Sequence, residues 1–250
     1  MKRIISLILS LVLVICLSSC SEGNSLLETE QIIAAKYGSA NEIACEAYVS
    51  SDYTKVTYNS SSDVVLAVEN KKANCGIVDE FELNSFIRAE RNIKQIECCQ
   101  YSIDYCAYFN SDNDTLQKSF NKAIKDLKEN GVLNKITDAH LNAKSFSDFT
   151  SNKEKGTLTV LRDTNFENRV FTDDEGNIIG LDVDIARAIC NYLGYDLEIE
   201  TVDFDELFIK LDSGEGDFII SACEVNEERE EYYLASDTYF TLNFYLIGRK

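Results

Sequence analysis

Few side chains in this 250-residue chain have the types and spacing that catalysis needs. The only histidine, His140, stands in a helical pattern beside a polar run, which predicts a surface position. No nucleophile stands with a base that would activate it. No C-x-x-C spacing of the kind that holds zinc or an iron–sulfur cluster occurs. We therefore expect a binding protein, with no metal and no cofactor, rather than an enzyme.

A carboxylate at the end of a predicted strand is a candidate for ligand binding. The apolar segment CGIVD ends in Asp79, and open α/β sheets bind their ligands at the carboxyl ends of strands. A helical segment over residues 80–88 follows at once, so Asp79 is also a candidate N-cap. The two roles are compatible with each other.

The nine cysteines do not predict a disulfide framework. Cys98 and Cys99 are adjacent, and most of the others stand in apolar patterns, where cysteine behaves as a small buried hydrophobic residue. We expect mostly free thiols, with a disulfide at Cys98 or Cys99 as the alternative.

The N-terminal segment has the pattern of an export leader. A basic start precedes an apolar run over residues 4–17, which is shorter than the roughly 20 residues that span a membrane. The segment LSSC, ending at Cys20, resembles the bacterial lipobox, in which the leader is cut before a cysteine that carries lipid. Lipid on Cys20 would anchor the protein to the membrane. The alternative is an ordinary leader with an incidental cysteine.

The charge of the chain excludes one class of partner. The formal net charge is −19, and such a chain repels the phosphate backbone of nucleic acids. We expect no nucleic-acid partner.

Strand and helix patterns alternate along the chain and predict an α/β fold. The first half contains strand patterns at 31–35, 55–58 and 75–79, helical patterns at 40–49, 59–73 and 80–88, and an extended segment at 101–108. The second half contains strand patterns at 157–161, 196–203, 216–222 and 242–247, a hairpin turn at 174–177, and helical patterns at 182–193 and 204–211.

An amphipathic helix pair and a polar segment lie between these halves. Leu116, Phe120, Ile124 and Leu127 recur at helical spacing. Asn130-Gly131 predicts a left-handed cap at the end of the first helix.

Three segments together resemble the type II periplasmic or extracellular solute-binding proteins that deliver polar amino acids to ABC importers. Residues 176–230, from GNIIGLDVDI to NEERE, are similar to the first lobe of that family. KYGSANE and KKANCGIVDE resemble its second lobe, and DTLQKSFNKAIKDLKENGVLNKI resembles its C-terminal helices. The resemblance implies a two-lobed α/β fold with a central cleft that captures a small polar solute.

The order of these segments differs from that of the family, because the second lobe and the closing helices come first. We interpret this order as a circular permutation that breaks one hinge strand, with exchange of half-domains between two chains as the alternative. The predicted units are a leader (1–19), a tether (20–26), a second-lobe-like domain with a hinge strand (27–110), helices returning to the first lobe (111–141), a linker (142–155) and a first-lobe-like domain (156–250).

The resemblance implies that Arg229 holds the carboxylate of an amino acid, because arginine offers a planar fork of donors. Asp79 would accept the ammonium group, and backbone N–H groups of Gly38 and Ser39 would add donors at a helix start. For Arg229 the alternative is a solvated charge among neighbouring glutamates.

Phe166 and Phe204 match family positions that enclose the side chain of the ligand, with a core position as the alternative. Asp163 and Lys36 match polar contacts, and Tyr37 is a further candidate for the cleft. For these last three residues an ordinary loop position is equally compatible with the sequence.

One position departs from the family. Glu224 stands five residues before Arg229, where the family has a hydroxyl. A carboxylate there would repel the carboxylate of the ligand or pair with Arg229. Glu224 and Asp163 together would instead favour a cationic ligand such as arginine, lysine or a polyamine-like amine.

The predicted function is capture of an amino acid or similar solute by a lipid-anchored extracytoplasmic protein that serves an ABC permease. The alternatives are a ligand sensor, a binding module that has lost its ligand, and, least favoured, a dehydratase-like enzyme on the same fold.

Overall fold

The computed structural model describes residues 31–49, 53–144, 146, 154–163, 170–172 and 178–250. The leader, the tether, Cys20, Phe166, the turn at 174–177 and most of the linker lie outside these ranges, so the predictions for them are neither supported nor contradicted.

The described chain alternates strands and helices, as the sequence predicts, and the α/β class is confirmed. In chain order the elements are β1 (Gln31–Lys36), α1 (Ala40–Glu46), β2 (Tyr53–Tyr58), α2 (Ser61–Glu69), β3 (Cys75–Asp79), α3 (Glu80–Arg88), β4 (Ile93–Tyr105), β5 (Tyr108–Asn110), α4 (Asp114–Glu129), α5 (Val132–Leu141), β6 (Thr157–Asp163), β7 (Val170–Thr172), β8 (Ile178–Gly180), α6 (Leu181–Leu193), β9 (Asp196–Val202), a 3-10 turn (Phe204–Glu206), α7 (Leu207–Ser213), β10 (Phe218–Ile219), α8 (Glu227–Glu230), β11 (Tyr233–Ala235) and β12 (Phe240–Arg249).

The strands form two five-stranded sheets with the same internal plan. The first has the order β2-β1-β3-β12-β4 and the second the order β11-β5-β10-β6-β9. In each sheet three neighbouring strands are parallel to one another, namely β2, β1 and β3 in the first sheet and β9, β6 and β10 in the second. The next strand, β12 or β5, pairs antiparallel with the third of these, and the edge strand, β4 or β11, pairs antiparallel with it in turn. The separate pair β7 and β8 is antiparallel and flanks the segment predicted to form a hairpin turn.

Each half of the chain contributes one strand to the sheet of the other half. β5 pairs with β10 and β11 in the second sheet, and β12 pairs with β3 and β4 in the first. The predicted unit 156–250 therefore does not coincide with the second sheet, because its last strand, β12, belongs to the first sheet. In the same way, the last strand of the predicted unit 27–110, β5, belongs to the second sheet.

Two chain segments connect the sheets, and we call them the crossings. The first crossing runs from β4 to β5 over residues 105–108, and the second runs from β11 to β12 over residues 235–240. Tyr239 N–H donates to the carbonyl of Tyr105 at 3.0 Å, and Ser236 N–H donates to the carbonyl of Ala107 at 2.8 Å. The expectation that one hinge strand is broken is wrong, because both crossings are continuous and are bonded to each other.

Helix α4 is anchored on the second sheet by three aromatic rings. Phe120 lies with its centroid 5.1 Å from that of Phe109 on β5 and 5.2 Å from that of Phe218 on β10. All three side chains are fully buried. This contact joins α4 to the second sheet within one chain, as the permutation hypothesis requires, and the permutation itself stays a prediction.

The predicted surface position of His140 is wrong. Its side chain is largely buried, and Nε2 lies 2.8 Å from Oδ2 of Asp184 on α6. Asp184 is fully buried and also accepts from Arg187 at 2.9 Å. A buried carboxylate needs such partners because desolvation penalises its charge. His140 therefore helps to bind α5 to α6.

The left-handed cap predicted at the end of the first helix of the pair is confirmed, because Gly131 has φ +79° after α4. Gly194 ends α6 in the same way, with φ +87°. Helix α3 spans Glu80–Arg88 as predicted.

The two ends of the described chain lie at one edge of the first sheet. Ile32 exchanges hydrogen bonds with Asn74, just before β3. Gly248 on β12 pairs with Cys75 on the other side of β3. Residue 31 and residue 250 are therefore separated by one intervening strand, or roughly 10 Å.

Replacing Phe120 by alanine should lower the free energy of unfolding by about 3–5 kcal/mol, because the change leaves a cavity between two fully buried rings. Urea denaturation followed by circular dichroism measures this. Lys125→Ala, on the exposed face of the same helix, is the control and should change stability by less than about 0.5 kcal/mol. A similar small effect for both variants would contradict the anchoring of α4.

The position of the two ends predicts that the chain can be reordered without losing its fold. A linker of about five residues between residue 250 and residue 31 spans the gap, and the new ends can be placed after residue 149. We expect a monomer with the circular dichroism spectrum and cooperative unfolding of the parent chain. A chain opened within β6, after residue 160, is the control and should not fold. Failure of the first variant to fold would argue against a permuted order.

Candidate functional site

The predicted binding residues lie at matching edges of the two sheets. Lys36 ends β1 and Asp79 ends β3 in the first sheet, whereas Asp163 ends β6 and Phe204 follows β9 in the second. β12 begins beside the end of β3 and β5 begins beside the end of β10, so both crossings leave their sheets at these carboxyl ends. The two edges therefore face each other across the crossings, and ligands bind at such edges.

The guanidinium group of Arg229 is surrounded by aromatic rings. Its central carbon lies 5.9 Å from the ring centroid of Tyr108, 5.8 Å from that of Phe204 and 5.4 Å from that of Phe208. The ring quadrupole attracts a cation at these distances. The three rings thus hold the charge in place without using its N–H donors.

The chain positions Arg229 through local capping. The residue lies in the short helix α8, and its backbone N–H donates to Oδ1 of Asn226 at 3.0 Å. Asn226 N–H in turn donates to the hydroxyl of Tyr108 at 3.1 Å. One of the three enclosing rings therefore also fixes the backbone that carries the arginine.

Glu224 does not pair with Arg229. No ion pair of Arg229 occurs among the residues that the structure describes. Glu224 is exposed, bridges to Tyr105 of the first crossing, and accepts from the Tyr108 hydroxyl through its carbonyl at 3.0 Å. Burial raises the pKa of the Tyr101 hydroxyl, and the Glu224 carboxylate raises it further, so this carboxylate lies on the side of the first sheet.

Asp163 belongs to a buried polar group at the edge of the second sheet. Its backbone N–H donates to Oγ of Ser221 at 2.9 Å, and its carbonyl accepts from Arg162 at 2.7 Å. Arg162 and Asp163 are both buried. Burial lowers the pKa of the Arg162 guanidinium, and the charges of Asp182 and Asp163 oppose that shift.

Asp182 connects this group to the second crossing. Its carboxylate accepts from the hydroxyl of the buried Tyr239 at 2.9 Å and from the N–H of Ala222 at 2.8 Å. Ala222 has φ +45°, and a left-handed residue that is not glycine costs about 1–2 kcal/mol. The hydrogen bond to Asp182 helps to hold this conformation directly beside the predicted binding residues.

The Gly38–Ser39 turn is bonded internally at the edge of the first sheet. Gly38 N–H donates to Oε2 of Glu42 at 2.8 Å, and Ser39 Oγ donates to the carbonyl of Lys36 at 2.8 Å. Glu42 also pairs with Lys55 at 2.9 Å, and the pKa of its carboxyl is lowered chiefly by Lys55 and then by Gly38. The Gly38 donor is thus satisfied by a carboxylate of the protein, and Tyr37 is largely exposed.

Asp79 has the capping role that the sequence offered as one of its two readings. Its Oδ1 accepts from Glu82 N–H at 2.9 Å, and Oε2 of Glu82 accepts from Asp79 N–H at 3.2 Å. Glu82 is held by Asn41 and Ser61 as well. The cap orients the Asp79 carboxylate at the carboxyl end of β3.

The sequence did not single out several residues that form this site. Tyr108 and Phe208 enclose Arg229, and Arg162, Asp182 and Tyr239 form the polar group beside Asp163. An arginine within an apolar strand pattern, directly before Asp163, was the available signal for Arg162. Tyr108 meets Arg229 across more than 100 residues, and Tyr239 meets Asp182 across 57 residues, so neither contact leaves a local pattern.

The described residues show neither a metal site nor a membrane-spanning helix. The part of the chain that the structure describes contains no group of three or more histidine, cysteine or acidic side chains placed to hold a metal. Within the same ranges, no helix combines the length and apolar character that crossing a membrane requires.

Comparison with known proteins relates the second half of the chain to one family. Residues 158–250 match the bacterial extracellular solute-binding proteins, family 3. The arginine-binding extracellular protein ArtP of Bacillus subtilis is 32% identical over 101 residues, which is 40% of this chain and 40% of ArtP. The L-cystine-binding protein TcyJ of Escherichia coli is 29% identical over 112 residues, covering 44% of this chain and 42% of TcyJ.

The same region is also similar to part of a murein transglycosylase and to a single domain of a binding protein. Membrane-bound lytic murein transglycosylase F of Desulfosudis oleivorans is 32% identical over 98 residues, covering 39% of this chain and 21% of that protein. The crystal structure of arginine-bound domain 1 from TmArgBP is 33% identical and covers 38% of this chain and 82% of that domain, with a TM-score of 0.32.

The chain thus spans less than half the length of the curated relatives it matches. Over residues 158–250, the chain is therefore similar to the bacterial extracellular solute-binding proteins of family 3.

Proposed function

We propose that the protein captures an amino acid or a similar small polar solute between its two sheets, outside the cytoplasm, and presents it to an ABC permease. The observation that carries the proposal is the Arg229 guanidinium, which aromatic rings hold in place and which forms no ion pair within the described ranges. A carboxylate is the natural partner of such a planar cation, since it accepts two N–H donors at once.

The facing edge of the first sheet supplies the opposite charge. Asp79 lies at the carboxyl end of β3, where α3 fixes it as a cap. An α-amino acid with its carboxylate on Arg229 would direct its ammonium group towards Asp79. Lys36 and Ser39 line the same edge and complete the proposed contacts from this sheet, and Gly38 would join them by exchanging the Glu42 carboxylate for that of the ligand.

The side chain of the ligand would lie between aromatic and acidic groups of the second sheet. Phe204 is partly exposed and near Arg229, and Phe166 is proposed as its counterpart. Asp163 adds a carboxylate at this edge, and Glu224 adds another beside the first crossing. Because ArtP and the TmArgBP domain are described as binding arginine, we propose a cationic amino acid as the ligand.

The cellular setting is also part of the proposal. Cys20 would carry lipid and hold the protein at the outer face of the membrane, with the acidic surface excluding nucleic acid as a partner.

The role is binding rather than catalysis, and murein transglycosylase F is the relative that argues most directly for an enzyme. Closure of the sheets over the ligand would occur at the two crossings.

Arg229→Met should weaken binding of the cationic amino acid by about 100-fold or more, because the carboxylate loses a bidentate partner while the aromatic contacts remain. Isothermal titration of the purified protein with arginine and with lysine measures the affinity. Glu228→Gln, at the neighbouring exposed position, is the control and should leave the affinity within about twofold. Wild-type binding of glutamine with no response to arginine or lysine would contradict the cationic ligand, and no binding of any amino acid would contradict the function.

Ligand binding should make the protein more compact, because closure brings the two sheets together. Small-angle X-ray scattering with and without saturating ligand measures the radius of gyration. The Arg229→Met protein at the same ligand concentration serves as the control. An unchanged radius for the wild-type protein under saturation would count against closure.

A further inference from the structure

Two cysteines lie opposite each other where the first crossing meets the second sheet. Tyr105 and Glu224 form an antiparallel bridge, so the next opposed pair is Cys106 and Cys223. The backbone N–H of Cys106 donates to the carbonyl of Cys223 at 2.9 Å. The two residues are therefore cross-strand neighbours, although 116 residues separate them along the chain.

The backbone spacing of the two residues is one that a disulfide bond can join, and their Cβ atoms must approach by about 1 Å when the bond forms. Opposed residues that share an antiparallel hydrogen bond have Cα atoms about 5.5 Å apart, and disulfides join Cα atoms about 4.4–6.8 Å apart. Such residues also direct their side chains to the same face of the sheet. Both cysteines belong to one buried cluster with Tyr108 and Leu207, with exposures of 0% and 2%.

We propose that Cys106 and Cys223 are a site of reversible disulfide formation, which staples the first crossing to the segment that follows β10. Both are free thiols in the structure. The bond would fix Glu224 against Tyr105, and so would act next to the proposed binding edge.

The oxidant is a low-molecular-weight disulfide. One cysteine thiolate attacks a sulfur of this disulfide, whose S–S bond breaks and releases one thiolate. The second cysteine then attacks the sulfur of the first, the protein S–S bond forms, and the other half of the oxidant leaves. The two cysteines lose two electrons and two protons, and the oxidant becomes two thiols.

The folded protein controls how fast this exchange proceeds. Burial raises the pKa of the Cys106 thiol to about 11 and that of the Cys223 thiol to about 12. Little thiolate is present at neutral pH, so exchange requires alkaline pH or a local opening of the crossing. Once formed, the bond closes a loop of more than 100 residues and should raise the melting temperature by roughly 5–15 °C.

The test exposes the purified protein to oxidised glutathione at pH 8.5, in urea concentrations that stay below the unfolding midpoint. Remaining thiols are alkylated after denaturation, and disulfide-linked peptides are identified by mass spectrometry. We expect a peptide that links Cys106 to Cys223, a mass loss of about 2 Da from the protein, and a higher melting temperature that dithiothreitol reverses. Cys45 and Cys75 are matched controls, because they are buried neighbours on a helix and a strand. They should remain free thiols and therefore be alkylated.

The variants Cys106→Ala and Cys223→Ala should each abolish the change in melting temperature, whereas Cys45→Ala should retain it. Alkylation of both Cys106 and Cys223 at every urea concentration would overturn the proposal. So would their pairing with other cysteines in preference to each other. Neither readout depends on a ligand, so the result stands apart from the proposed binding function.

Discussion

Neither sheet of this protein is complete without a strand from the other half of the chain. β5 lies between β10 and β11, and β12 lies between β3 and β4. Backbone groups in a sheet interior must be paired, because an unpaired buried N–H or C=O is costly. Because each sheet takes one strand from the other half, the chain must cross twice between the sheets. Both crossings leave the sheets at the carboxyl ends of the parallel strands, so these two edges face each other.

The proposed binding site follows from this constraint. Tyr108 begins the exchanged strand β5, and its ring and hydroxyl position Arg229. Tyr239 precedes β12, and its hydroxyl bonds to Asp182 beside Asp163. The residues that hold the site together thus come from the same segments that connect the sheets. A motion at the crossings would change the surroundings of Arg229 and Asp163 directly, which is what capture by closure requires.

Much of the local structure could be predicted because its causes are local. Alternating apolar patterns, the glycine at residue 131 and the capping sequence after Asp79 each act over a few residues. The placement of the last strand could not be predicted this way, since β12 pairs with β3 across more than 160 residues. His140 was misplaced for a similar reason. Its buried partner, Asp184, lies 44 residues away on α6.

The sequence by itself determined most of the helices and strands, the similarity of residues 158–250 to one family, and the position of Asp79 at the end of a strand. Only the tertiary structure decided that aromatic rings rather than Glu224 surround Arg229. It alone also brought Cys106 opposite Cys223 and kept both crossings continuous. The physical reason is that propensity and capping act through neighbours in the chain, whereas strand pairing and burial depend on segments that meet only when the whole chain folds.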